Sequence, residues 1–292
     1  MSKLKKALLK AKVARETPSE KMFIGNSSTA AGEEEAITGV ATNKRRMRKD
    51  LEVEYQQTKV FNLDPNVLRK NKLYSLFKNN KMTDFFDIAK GQLLKKLDKL
   101  KGNCIIVTSV HPGEGKTFTS INLAISIARE HDRTVMVVDT DLRNPWRSHR
   151  DFAHDFFNLT PEKGLVDYLE NVAELSEIMI NPGINKLTII PAGRRAINSA
   201  ELLSSPRMES LVKELKSRYG NERIILFDCP ASLACVDPMV FSQFVDGILF
   251  VVESDRTTQD ELKKAMALFK DNQILGVIFN KSMDRYDTDN NE

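Results

Sequence analysis

The chain has 292 residues, 41% of them hydrophobic and 29% charged, which is the balance of a globular protein with one or two domains and a sizeable core. Its longest uninterrupted apolar stretch, residues 247–252, is far shorter than the ~18 residues of a membrane-spanning helix, and its lysine-rich start does not have the apolar run of a signal peptide. Lys and Arg exceed Asp and Glu by only 44 to 40, and the chain has three cysteines. We therefore expect a cytoplasmic protein with no membrane span and no nucleic-acid partner.

Three segments precede the first clear strand. Residues 1–16 have leucines at the spacing of an amphipathic helix, which would lie on a membrane surface, dock on a partner helix, or fray as a free end. Residues 17–58 are rich in polar residues without an apolar period, which predicts a disordered linker. Helical spacing of leucine and phenylalanine returns in residues 59–101 and predicts a helical lead-in.

From residue 102 onward, short apolar runs alternate with helical segments, a pattern typical of a parallel sheet covered on both faces. The predicted strands are residues 104–107, 135–138, 187–190, 224–227, 248–252 and 274–279. The predicted helices are residues 116–130, 165–171, 199–219, 237–244 and 259–271. The sequence thus predicts an α/β domain with a doubly wound, mostly parallel sheet over residues 102–281, followed by a flexible tail at residues 282–292.

The first predicted strand, CIIVTS, runs directly into a loop with the pattern of a phosphate-binding P-loop, although the first glycine of that pattern is Val110 here. Gly113 and Gly115 would let backbone amides surround phosphate oxygens at the N-terminus of the next helix. Lys116 would reach the β- and γ-phosphates, and the Thr117 hydroxyl would bind Mg²⁺. This segment therefore predicts a nucleotide-binding loop.

Three aspartates follow other predicted strands. Asp139 and Asp141 come after the run VMVV, and Asp228 comes after the run IILF. Taken singly, each would be explained equally well as a turn former. Because ligands of open α/β sheets bind outside the carboxyl ends of the strands, we expect all three carboxylates to converge on the loop that holds Lys116. Together they predict a Mg-nucleotide site.

These motifs resemble those of the bacterial P-loop tyrosine autokinases (BY-kinases) of exopolysaccharide synthesis. Pro112–Thr117 is similar to their Walker A motif, PGEGK[ST]. Residues 136–143 are similar to their Walker A′ motif, which is three apolar residues followed by D-x-D-x-R. Residues 226–230 are similar to their Walker B motif. The resemblance extends to the stretches 164–169, 187–211 and 276–281. It covers residues 100–282, and the N-terminal layout is most similar to the variety encoded with exosortase-linked polysaccharide systems.

The resemblance implies a fold of P-loop NTPase type and phosphoryl transfer from ATP·Mg²⁺ to tyrosines on the tail of a neighbouring copy. It implies that the nucleotide is held by the loop and by one residue at the end of the last strand: Pro112, Gly113, Glu114, Gly115, Lys116, Thr117, Phe118 and Asn280. Asp139 would be the base that receives the tyrosine proton. Thr117, Asp141 and Asp228 would hold Mg²⁺ directly or through water. Lys116, Asp139, Asp141 and Arg143 would form the catalytic set.

Two features depart from the family pattern. The tail has one tyrosine, Tyr286, where the family has a cluster, which makes Tyr286 the candidate phosphoacceptor. The lead-in at residues 84–90 lacks both arginines of the E-x-x-R-x-R motif with which the family builds a ring of subunits. The resemblance still implies self-association, with kinase strength and ring size left open.

Three functions are compatible with these motifs. The first is a tyrosine autokinase that regulates exopolysaccharide polymerisation or export. The second is a nucleotide-gated regulatory ATPase with weak or no kinase activity. The third, a partitioning or septum-positioning ATPase, is disfavoured because such proteins carry a signature lysine five residues before the P-loop lysine, where this chain has His111. For the first two, the resemblance implies a separate membrane-bound chain-length regulator as partner and a peripheral position at the inner face of the cell membrane.

Overall fold

The computed structural model describes residues 59–61, 70–77, 81–143, 152–218 and 222–282. The helix predicted for residues 1–16, the linker predicted for residues 17–58 and the tail beyond Ser282, including Tyr286, lie outside the described residues. Among the described residues, no helix combines the length and the apolar character needed to cross a bilayer.

The described residues form one eight-stranded sheet with the strand order β1-β4-β5-β3-β6-β2-β7-β8. The strands are β1 (Lys59–Val60), β2 (Cys104–Ser109), β3 (Thr134–Asp139), β4 (Ile180–Asn181), β5 (Leu187–Ile190), β6 (Arg223–Asp228), β7 (Gly247–Glu253) and β8 (Ile274–Asn280). The β4–β5 pair is antiparallel and the other neighbouring pairs are parallel, which confirms the predicted mostly parallel sheet. The two-residue strands β1 and β4 were not predicted because they are too short to show a periodic pattern.

Helices cover both faces of the sheet. They are α1 (Lys81–Leu100), α2 (Lys116–Ala128), α3 (Phe152–Phe157), α4 (Leu165–Leu169), α5 (Leu175–Ile178), α6 (Ser199–Leu203), α7 (Pro206–Arg218), α8 (Asp237–Phe241) and α9 (Gln259–Ala267), with 3₁₀ turns at Tyr74–Leu76 and Ser242–Phe244. The single helix predicted for residues 199–219 is wrong. Pro206 cannot donate a backbone hydrogen bond, so α6 ends before it and α7 begins with it.

Alternate residues of each central strand face two separate cores. On β6, Ile225 and Phe227 point into the core beneath α4, α7 and α8, whereas Ile224 and Leu226 point into the core beneath α1 and α2. Side chains of a strand alternate with a period of two, so a strand that is buried on both faces is apolar throughout. This explains why continuous apolar runs, rather than alternating ones, predicted the sheet correctly.

The lead-in packs on α2, the helix that follows the P-loop. The buried Asn122 amide accepts a hydrogen bond from the Ser75 backbone at 3.2 Å and donates one to the Lys72 carbonyl at 3.2 Å. Further along α2, the Ser126 hydroxyl donates to Asp87 of α1. Residues 70–77 and α1 therefore pack against the helix that carries the P-loop lysine.

A close approach of two glycines fixes the loop after β5. A Cβ atom on Gly164 would lie 2.3 Å from the Gly193 nitrogen and 2.5 Å from the Pro191 oxygen. A few residues further on, the Ala196 amide donates to the Leu142 carbonyl at 2.9 Å. The glycine contact thus helps to position the segment that follows Asp139 and Asp141.

We expect Gly164→Ala to lower the free energy of unfolding by about 1–3 kcal/mol. The added methyl group would clash with backbone atoms of Pro191 and Gly193, and these atoms can move only if the whole loop shifts. The matched control is Gly91→Ala on α1, where an added Cβ meets nothing within 4 Å. This control is expected to raise stability by about 0.5–1 kcal/mol through helix propensity. Urea midpoints measure both changes, and equal midpoints for the two variants would contradict the tight contact.

Candidate active site

The loop between β2 and α2 is shaped to receive an anion. Gly113 has a φ of 86° and Gly115, directly before α2, has a φ of 92°, both in the left-handed region that favours glycine. The Thr119 amide donates to the Gly115 carbonyl at 2.9 Å. The amides that precede Thr119 at the start of an α-helix have no intrahelical acceptor, so they are available to phosphate oxygens.

The Glu114 side chain turns away from this opening. Its buried carboxylate accepts hydrogen bonds from the His111 amide at 2.7 Å, from the Glu253 amide at 3.1 Å and from the Thr257 hydroxyl. A buried carboxylate is stable only when hydrogen bonds replace its water. Glu114, which the resemblance places among the nucleotide contacts, therefore anchors the loop to the end of β7 through its side chain.

Two of the predicted aspartates lie side by side. Asp139 ends β3 and Asp228 ends β6, and the two residues are partners in the parallel register. Val137 and Leu226, two residues before Asp139 and Asp228, lie on the face of the sheet that α2 covers. Because side chains of a strand alternate with a period of two, the two aspartates lie on the same face. Asp139 Oδ1 accepts a hydrogen bond from the Asp141 amide at 3.0 Å. The structure therefore brings these three acidic residues together, as the sequence predicts.

Lys116 connects the loop to these carboxylates. Its Nζ lies 3.2 Å from Asp141 Oδ2 and 4.0 Å from Asp228 Oδ2. Burial disfavours the charged form of Lys116, but Asp228, Asp141 and Asp139 outweigh it and raise the pKa of the lysine. Lys116 is therefore a charged ammonium at neutral pH, as a group that neutralises phosphate must be.

Asp228 is held by two hydroxyls of α2. Thr117 Oγ1 donates to one carboxylate oxygen at 2.7 Å and Ser120 Oγ donates to the other at 3.1 Å. Burial raises the pKa of Asp228, and the neighbouring Lys116 and the two hydroxyls oppose this rise. Ser120 was not predicted, although its position three residues after Thr117 on the same helix face indicates it.

Three other predicted site residues have different partners. The Arg143 Nε donates to both oxygens of the buried Asp237 at 3.1 Å, so its guanidinium is bound at the start of α8 rather than at the phosphate loop. The Phe118 ring packs against Tyr74 and Phe86 in the lead-in. The Asn280 amide donates to the Glu114 carbonyl at 2.9 Å. The side chains of Arg143 and Phe118 are therefore engaged in packing the site's surroundings.

Pro112 lies at the rim of the loop. It lines a shallow pocket of about 470 Å³ together with His111, Arg256 and Glu261. His111 Nε2 lies 3.1 Å from Glu261, and hydrogen bonds from Thr258 and His111 lower the pKa of Glu261 to about 2.

The residues present fit Mg²⁺. Thr117, Asp228 and Asp141 offer only hydroxyl and carboxylate oxygens, the ligands that this hard cation prefers. The Thr117 hydroxyl and the Asp228 carboxylate already lie 2.7 Å apart beside the P-loop. A cation beside the loop would therefore find its donors in place.

Residues 102–278 match the model of a family described as AAA domain. The chain is 33% identical over 196 residues to tyrosine-protein kinase CpsD of Streptococcus pneumoniae, a match that covers 65% of this chain and 81% of that protein. It is 28% identical over 174 residues to tyrosine-protein kinase ptk of Acinetobacter johnsonii, covering 60% of this chain but only 22% of that much longer protein.

Among solved structures, the kinase domain of Escherichia coli tyrosine kinase ETK is similar, with 29% identity and a TM-score of 0.57 over 66% of this chain and 72% of that chain. The fold and the site define a P-loop protein with a doubly wound sheet. The chain belongs to the AAA domain family and, within it, to the bacterial P-loop tyrosine kinases. Its assignment to the exosortase-linked variety stays a prediction.

We predict that ATP·Mg²⁺ raises the melting temperature of the wild type by mass action and that Lys116→Met abolishes most of this rise. Because the variant leaves buried carboxylates without their counter-ion, it starts from a lower melting temperature, and each protein is compared with its own nucleotide-free form. Lys213→Met on the exposed face of α7 is the control and keeps the full shift. Equal shifts in wild type and Lys116→Met would show that the nucleotide site is misassigned.

Proposed function

We propose that the chain is an ATP·Mg²⁺-dependent protein-tyrosine kinase. The observation that carries the proposal is the register of Asp139 and Asp228 beside Lys116. With Thr117, Asp228 accounts for a cation site, so Asp139 is a further carboxylate that is not needed to hold the cation. The names of the relatives, which are tyrosine-protein kinases, support the same function.

The chemistry follows from these positions. The amides of the loop and the Lys116 ammonium bind and neutralise the phosphate oxygens of ATP. When bound, Mg²⁺ would supply further charge neutralisation, and Thr117, Asp228 and Asp141 would hold it. Asp139 takes the proton from the tyrosine hydroxyl as its oxygen attacks the γ-phosphorus and the bond to ADP breaks. Most of the catalysis is positioning and electrostatics.

We propose Tyr286 of a neighbouring copy as the phosphoacceptor. In the sheet, β8 is four strand spacings from β3, about 19 Å. Five residues lie between Asn280 and Tyr286, so these two residues are at most about 22 Å apart when the segment is fully extended. A chain's own Tyr286 would therefore reach Asp139 only as a straight segment across its own P-loop, which favours transfer between two copies.

The tyrosines of the described domain are poor acceptors by comparison. The Tyr168 side chain is buried, burial raises its pKa, and the Arg207 guanidinium lies 4.2 Å from its ring centre. The Tyr74 ring packs edge-on against Phe118. The Tyr168 hydroxyl would need local unfolding to enter an active site, and the half-buried Tyr74 ring would have to leave its contact with Phe118.

The biological role proposed here is regulation of exopolysaccharide polymerisation or export. The motif resemblance supports it, as does the similarity to named bacterial tyrosine kinases. A separate membrane-bound chain-length regulator is the proposed partner, and it would bring this protein to the inner face of the membrane.

A second candidate is a nucleotide-gated regulatory switch with weak or no kinase activity. One observation favours it: a single tyrosine, Tyr286, follows β8 in this sequence. On this alternative, nucleotide binding would change the conformation that the chain-length regulator contacts, and no phosphotyrosine would form. Phosphotyrosine mapping after incubation with ATP·Mg²⁺ distinguishes the two.

We predict that Asp139→Asn lowers the rate of phosphoryl transfer by about 10²- to 10⁴-fold while leaving most of the nucleotide affinity, because a base is needed only when the hydroxyl reacts. Single-turnover transfer and ADP titration measure the two quantities. Asp271→Asn, at an exposed position in the turn after α9, is the charge-matched control and is expected to change neither. Equal losses in affinity and rate would make Asp139 a cation ligand instead of a base.

We predict that Tyr286→Phe removes most of the phosphotyrosine found by mass spectrometry. In a mixture, active Tyr286→Phe protein is expected to phosphorylate inactive Lys116→Met protein on Tyr286, because transfer occurs between copies. Undiminished phosphorylation of Tyr286→Phe would move the acceptor to Tyr55 or Tyr74. Absence of phosphotyrosine in wild type that still binds ATP would contradict the kinase and leave the nucleotide-gated switch.

A further inference from the structure

Two consecutive residues at the end of β8 hold two consecutive carbonyls of the P-loop. Lys281 Nζ donates to the Gly113 carbonyl at 2.8 Å, and Asn280 Nδ2 donates to the Glu114 carbonyl at 2.9 Å. Lys281 is itself anchored by Glu253 at the end of β7, with Nζ 3.1 Å from Glu253 Oε2. Asn280, Lys281 and Glu253 are called the carbonyl clamp below.

The clamp determines where two loop amides point. In a planar trans peptide, the carbonyl of one residue and the N–H of the next point in opposite directions. Because the clamp holds the Gly113 and Glu114 carbonyls toward β7 and β8, the N–H groups of Glu114 and Gly115 point to the other side. These amides lie between the two glycines, in the part of the loop that surrounds phosphate.

The loop needs such a constraint. Turning over the Gly113–Glu114 peptide changes ψ of Gly113 and φ of Glu114, and the wide backbone freedom of Gly113 lowers the cost of that rotation when nothing holds the peptide. A turned peptide would present a carbonyl oxygen to a phosphate oxygen, which is repulsive. The Glu114 carboxylate fixes the loop through its own contacts, but these bonds do not hold the Gly113 carbonyl.

We propose that Lys281 is a positioning residue for the nucleotide: it holds the Gly113 carbonyl outward and thereby keeps the Glu114 amide turned toward the phosphates. The inference rests on the proposed function, because it concerns the same nucleotide site. Lys281 acts through the loop, and Glu253 acts by orienting Lys281. A basic side chain that only attracted the nucleotide by its charge would need neither contact.

The two explanations predict opposite effects for Glu253→Gln. This variant removes a negative charge near the loop, so simple electrostatic attraction would strengthen the binding of Mg·ADP. Positioning predicts weaker binding, because Lys281 loses its ionic anchor. The charge-matched control is Asp255→Asn, which removes the same charge two residues away at an exposed position whose φ of 62° Asn adopts well.

The test is calorimetric titration of the full chain with Mg·ADP. We expect Lys281→Ala to weaken binding about tenfold, the effect of one hydrogen bond from a charged donor, and Glu253→Gln to weaken it about threefold. Lys281→Arg, which keeps a charged donor for both acceptors, is expected to restore most of the affinity. Because the Lys281 side chain is 46% exposed, the nucleotide-free melting temperature of Lys281→Ala is expected to match that of the wild type.

Three results would overturn the inference. Unchanged Mg·ADP affinity in Lys281→Ala would exclude any role in binding. Binding by Glu253→Gln that is as tight as in Asp255→Asn would show that Lys281 acts through its charge alone. A lowered nucleotide-free melting temperature in Lys281→Ala that accounts for the lost affinity would make the residue structural. A wild type that binds neither ADP nor ATP would instead refute the proposed function itself.

Discussion

The Lys116 ammonium lies among three carboxylates, those of Asp228, Asp141 and Asp139, and the architecture of the site serves to hold these four charges together. Burial by itself lowers the pKa of Lys116 and raises the pKa of Asp228, so it disfavours both charges. The attraction between the ammonium and the carboxylates opposes both effects of burial. A shift of one strand by one residue would point Asp139 or Asp228 at the opposite face and leave Lys116 without its partners.

The sheet meets this requirement through its topology. In the order β5-β3-β6-β2-β7-β8, the strand that leads into the P-loop lies next to β6, and β6 lies next to β3. Parallel strands end at the same edge, so Asp228, Asp139 and the loop before Lys116 meet without a long connection. Helix α2 then covers the face on which both aspartates lie, and it contributes Thr117 and Ser120 to Asp228. The lead-in, held by Asn122, fixes α2 from its other side.

Sequence patterns correctly predicted the features that are determined by residues close together in the chain. Continuous apolar runs predicted six strands, and the spacing of Gly113, Gly115 and Lys116 predicted the loop. They did not predict contacts between residues far apart in sequence, such as Lys281 with Gly113 or Arg143 with Asp237. They also assigned Glu114 by its place in a motif, whereas its carboxylate contacts Thr257, 143 residues away. The end of α6 before α7 was also missed, although Pro206 is a local signal for a break between two helices.

The same charges determine how nucleotide and cation depend on each other. Three carboxylates and one ammonium give the pocket a negative formal charge before any ligand enters, and a triphosphate adds more negative charge at close range. The loop amides contribute only partial positive charges, and Lys116 already lies 3.2 Å from Asp141. On the proposed function, a divalent cation would therefore have to enter with the phosphates to offset this repulsion, and Thr117 and Asp228 would hold it. On the proposed function, Lys116 would exchange its contact with Asp141 for the phosphate oxygens, and Asp139 would be the carboxylate left to accept the proton of a tyrosine hydroxyl.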